Sequence, residues 1–152
     1  MNKWLRRILL INQIGGGLIG LMTITNVFSF GRVTATTVVL AIIWAALFCL
    51  GIVAGLALVE KPRLGLRLSL IYQAIQVPML ISPLITYAFA SGFTIAARLR
   101  QGSNLLVNFN FGGQFSLELF QDHPWGFGIN LVAAALLIAI SLTLRRRSSA
   151  RT

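Results

Sequence analysis

Acidic residues are nearly missing from this chain: three Asp and Glu stand against thirteen Lys and Arg among 152 residues, with one histidine. So few carboxylates leave little material for acid–base catalysis or for oxygen-rich metal sites. One cysteine, Cys49, excludes an internal disulfide and a thiolate metal cluster, and its place in an apolar run reads as a small buried hydrophobe. Charge of either sign is scarce as well, at 11% of residues against roughly 25% in soluble domains. A water-soluble fold therefore fits poorly.

What the chain has in place of charge is long apolar runs, 57% of residues being hydrophobic. Their length points to lipid as the solvent, so the bilayer is the first expected partner. Four runs emerge. They cover residues 8–30, 34–59, 68–97 and 127–144, the third interrupted by Pro78 and Pro83, where a kink is expected. A backbone in lipid must satisfy its own hydrogen bonds, so each run reads as a helix. The expected fold is an all-α membrane protein of one domain, a bundle of four transmembrane helices.

The net charge of +10 would suggest nucleic acid in a soluble protein. Here the bases sit at the ends of apolar runs, which is a topological pattern, so no nucleic-acid partner is expected. Lys3, Arg6, Arg7, Lys61, Arg63, Arg67, Arg145, Arg146, Arg147 and Arg151 fall on one side and Arg32, Arg98 and Arg100 on the other. That bias places both termini in the cytoplasm, in a plasma membrane of the bacterial inner-membrane kind. Val27-Phe28-Ser29 resembles a signal-peptide cleavage site, but the apolar region before it is too long for a signal core, so the first run is expected to remain.

Between the third and fourth runs, Leu105 to Phe120 alternates on both sides of Gly112-Gly113, which predicts a small external β-hairpin over residues 105–120. Residues that face one another in an antiparallel pair share a face, so a loop of Phe111-Gly112-Gly113 would pair Phe109 with Phe115 and Val107 with Leu117. Phe109, Phe111, Phe115 and Leu117 are then a candidate contact surface for another membrane protein or a second copy. A hairpin lying on its own bundle is the plainer alternative.

None of the four runs contains Asp, Glu, Lys, Arg or His, which argues against a proton-coupled transporter. Neutral polarity is patterned instead. On a helix, Ser69, Tyr72, Gln73, Gln76, Thr86, Tyr87, Ser91 and Thr94 share a sector of roughly 140°, and Asn12, Gln13, Gly16, Gly20, Thr23 and Asn26 share one of similar width on the first run. The two faces are expected to meet, glycines allowing close approach and amides bonding across. Asn12, Gln13, Tyr72, Gln73, Gln76 and Tyr87 thus form a candidate polar face, for packing or for a small neutral or lipid-like ligand.

Asp122 and His123 place an acid beside the only histidine, but adjacent extended residues point apart and Trp125 nearby fits an interfacial anchor. There is no nucleotide fingerprint, phosphate loop, redox motif or lipidation signal, so no cofactor is expected. Three functional readings follow: a non-enzymatic accessory or interaction subunit, a carrier or binding bundle for a small neutral ligand, and an interfacial enzyme built on Asp122 and His123.

Overall fold

The computed structural model describes residues 2–30, 34–102, 104–120 and 124–149, the side chains of 27–30 and 147–149 excepted. The first helix starts at Asn2, whose side chain caps Trp4 N–H at 3.1 Å, and comprises α1 (Lys3–Leu10), a π-helical turn (Ile11–Gly15) and α2 (Gly16–Phe30). Thr34 caps α3 (Ala35–Glu60) through Thr37 N–H at 3.2 Å, and Pro62 opens α4 (Pro62–Gln76) directly after it. Lys3–Asn26 and Ala35–Glu60 are long and apolar enough to cross a membrane.

From Val77 onward the expected third helix gives way to sheet. The strands are β1 (Pro78–Ile81), β2 (Ile85–Arg100), β3 (Leu106–Leu119) and β4 (Gly126–Asn130), and α5 (Leu131–Ser149) closes the chain. The all-α four-span bundle is therefore corrected: an antiparallel four-stranded sheet, in the order β1-β4-β2-β3, takes the third run from Pro78 onward, the segment after it and the first four residues of the fourth run. Pro78 offers no N–H to continue α4, so the prediction of one kinked helix over 68–97 fails at its first proline. Pro83 lies in the turn between β1 and β2, closed by Ser82 Oγ and the Ile85 backbone at 2.8 and 3.0 Å. Beyond it, large residues Ile85, Tyr87, Phe89, Phe93 and Ile95 alternate with small Thr86, Ala88, Ala90, Thr94 and Ala96. Period two in size marks a strand, and uniform hydropathy concealed it.

The predicted hairpin is corrected too. β3 runs unbroken through Gly112-Gly113 and pairs with β2 along its whole length, so Phe109 faces Ile95 and Phe115 faces Phe89 in place of each other. A full-length partner strand satisfies more backbone groups than folding 105–120 on itself about a three-residue loop. The reversal lies earlier, at Gln101-Gly102, with Gly102 at φ +78°. α5 likewise starts at Leu131, where Asn130 caps Ala133 N–H at 3.2 Å, and the residues just before it form β4. Cys49, expected to be buried, is exposed on α3.

One edge of β2 is bonded to β3 from Ile85 to Arg98. Its other edge meets β1 at Tyr87 and β4 from Ala96 to Arg100, and β1 also pairs with β4. The two arms of β2 are thereby drawn toward each other, with the bend at Gly92 (φ +79°) opposite Gly112 (φ +140°), conformations that favour glycine. Leu9, Leu58, Leu66, Leu136 and Ile140 form the core where α1, α3, α4 and α5 meet. A second core lies under the sheet: Trp44 stacks on Phe89 at 5.6 Å, with Phe48, Tyr72 and Phe115 around them.

Candidate functional site: a buried amide cluster beneath the bend of the sheet

Between Tyr87 and Ala96 the inner edge of β2 has no strand neighbour, and an unpaired buried N–H costs about 1–3 kcal/mol. Two side-chain amides stand in for the missing strand. Ser91 N–H donates to Gln76 Oε1 at 2.9 Å, and Phe93 N–H donates to Asn12 Oδ1 at 2.6 Å. Gln76 reaches from the last turn of α4, and Asn12 from the π-helical turn, where a wider helix presents it to the strand.

Glycines make that reach possible. A Cβ on Gly16 would overlap the Gly92 backbone nitrogen, one on Gly92 would overlap Asn12, and one on Gly113 would overlap the Gly20 backbone. The bent hairpin thus lies on the first helix with backbone against backbone. Small residues commonly permit such contact between two membrane helices; here the second partner is a sheet.

Around this contact the polar side chains are fully enclosed. Gln13, Ser69, Gln73 and Ser91 are 0% exposed, and Gln76 and Thr94 are 1%. Ser69 Oγ donates to Gln13 Oε1 at 3.2 Å, joining the faces of the first helix and α4. Other groups lack partners: both amide atoms of Gln73, Gln13 Nε2, Ser91 Oγ and Thr94 Oγ1. The Tyr72 hydroxyl lies by Ser91 outside strict hydrogen-bond geometry, and its ring fills the space a side chain at Gly51 would need.

Of the predicted polar face, Asn12, Gln13, Tyr72, Gln73 and Gln76 are placed at this junction, whereas Tyr87 leaves it and donates to Ile75 O at 2.8 Å. That bond satisfies a carbonyl in the last turn of α4. The predicted contact surface is split by the glycine bend. Phe115 and Leu117 pack on the Trp44 core, and Phe109 and Phe111 are 68% and 60% exposed. Asp122 and His123, like Arg32, lie outside the described residues. Among those described, no three of His, Cys, Asp and Glu are grouped to hold a metal. The cluster holds only neutral amides and hydroxyls, which can bind water or an uncharged hydrogen-bonding molecule and provide no acid or base near neutral pH.

Sequence reasoning missed the backbone N–H groups of Ser91 and Phe93 as the donors to these amide oxygens, because a helix assignment leaves no free N–H there. The size alternation in β2 was the available signal. In comparisons with protein-family models, curated proteins and solved structures, the chain matches none.

Proposed function

We propose that this chain is a non-enzymatic, membrane-anchored interaction protein whose outer strand β3 pairs with the same strand of a second copy. Membrane anchoring draws support from α3, whose most apolar window is only 28% buried within the chain. Val39, Ile42, Val53 and Leu56 are each more than half exposed, a surface suited to lipid. The basic residues near Lys3, Lys61 and Arg145 flank the ends of the helices that share the Leu9–Leu58–Leu66 core, which favours that end inside the cell, in a bacterial plasma membrane.

The observation that carries the pairing is the state of residues 106–111, which are exposed on both faces of a strand at the edge of its sheet. Beside a bilayer such an edge leaves N–H and C=O groups without water or partner, a cost lipid cannot relieve and a strand can. The segment Leu-Val-Asn-Phe-Asn-Phe suits its own copy. A two-fold axis at Phe109 sets Val107 against Phe111 and Asn108 against Asn110, apolar on one face and amides on the other.

Phe109→Cys in a Cys49→Ser background, oxidised in native membranes, should give a covalent dimer, while Leu119→Cys should not. A monomer at position 109, or a crosslinked product of another size, would overturn self-pairing.

The binding-bundle reading retains one specific observation, the wholly unpartnered Gln73 amide. Gln73→Leu separates the two roles. A more stable protein would mark the amide as idle, whereas loss of an ordered water or ligand signal at the Gln13 side chain by NMR would mark the cluster as a neutral binding site.

A further inference from the structure

Apart from the amide cluster and the β3 edge, the curled sheet forms a partly open cavity of about 230 Å³ on its other face. Thr86, Gln114 and Ser116 form a polar wall, Met79 and Ala88 lie against them, and Arg98 closes the space. Two features mark it as built for a ligand. Arg98 Nε and Thr86 Oγ1 are both buried and lack hydrogen-bond partners. A Cβ on Gly128 would come within 2.8 Å of Arg98 Cγ and 3.3 Å of Met79 Cβ, so the glycine keeps open the trough along which the arginine stem lies. Arg98 belongs to the far arm of β2 and Thr86 to the near arm, and only the closure of β1 on β4 brings them to one cavity.

We infer that this cavity binds a small monocarboxylate with a short apolar tail. An arginine Nε held out of water favours an oxyanion, which a guanidinium receives through two parallel N–H groups. Thr86 adds a hydroxyl donor. Met79, Ile81 and Ala88 leave part of the wall apolar, which suits a hydrocarbon tail and fits a fully hydrated phosphate poorly. At about 30 Å³ per water-sized group the space takes about seven or eight non-hydrogen atoms, which limits the tail to a few carbons. Glu118, the cross-strand partner of Thr86, is exposed, lies outside the cavity wall and accepts from Ser116 Oγ at 3.2 Å.

The test is a titration of the full chain in detergent micelles, followed by NMR of the Arg98 side chain and by thermal shift, using butyrate, butyramide and inorganic phosphate. Butyrate should shift the Arg98 Nε–H resonance and raise the melting temperature, and butyramide should do neither. Arg98→Gln should abolish binding, and Thr86→Val should weaken it about tenfold. Gly128→Ala, which retains the arginine but obstructs its trough, should also weaken it. Should Arg98→Gln fail to fold, Thr86→Val and Gly128→Ala carry the test. Equal response to butyramide, preference for phosphate, or unchanged butyrate affinity in those two variants would overturn the assignment.

Discussion

The two halves of this molecule are held together by different physics. In the basic half, helices meet through leucines and one isoleucine, each filling space left by its neighbours. In the other half, two long helices receive a sheet whose closest contact is made by glycine backbones and two amide side chains. Side-chain packing tolerates modest changes of shape because neighbours can shift. A backbone contact has no such slack, so the sheet half should respond to the addition of atoms and the helical half to their removal.

Substitutions can break or sharpen that contrast, and the largest effect is expected at Gly92. Gly92→Val combines a left-handed backbone with a collision against Asn12, and should cost about 3–5 kcal/mol or prevent the sheet from forming, read by reversible unfolding in mixed micelles. Leu58→Ala removes packing from the helical core and should cost about 3 kcal/mol by the same measurement. If the helical variant proved the more damaging of the two, the proposed contrast would be reversed.

Asn12→Ala should cost about 1–3 kcal/mol, since it strands the Phe93 N–H. Hydrogen exchange sharpens this one: the Phe93 amide should lose protection while amides in α5 keep theirs. Phe109→Ser should cost about 0.5–1.5 kcal/mol, because the exposed ring gives up only its edge-to-face contact with Phe93 at 4.8 Å, yet reduce the dimer seen by sedimentation in detergent. A loss well above that, with the dimer unchanged, would place the ring's role within its own chain.

The same contrast explains what could be read from the amino acids. The first two helices were legible because their apolar runs are long and end at charged residues such as Arg7 and Glu60. Asn12, Gln13, Gln73 and Gln76 stood out because an amide inside a greasy segment demands a partner. The partner itself was hidden. A strand of alternating large and small apolar residues has the same hydropathy as a helix, so Ile85 to Ala97 lost its identity in the average. Tyr87 was grouped with Gln76 by helical angle, and that angle ceased to apply at Pro78. Gly112-Gly113 resembled a turn, whereas it is a bend in two strands imposed by the first helix. Arg98 was counted only for its charge, since the closure that brings it to the cavity of Thr86 depends on β1 and β4, segments that carried no strand signal of their own.

Assembly order follows from the bond between Asn12 and Phe93, residues separated by 81 positions in the chain. The strand cannot be capped at its bend until the first helix and α4 stand side by side, yet β2 emerges only after both have been made. The sheet is accordingly the last part to set, and closing so long a loop makes it slow. During that interval β2 and β3 would exist as an unshielded apolar ribbon, which makes the speed of helix docking a safeguard against aggregation.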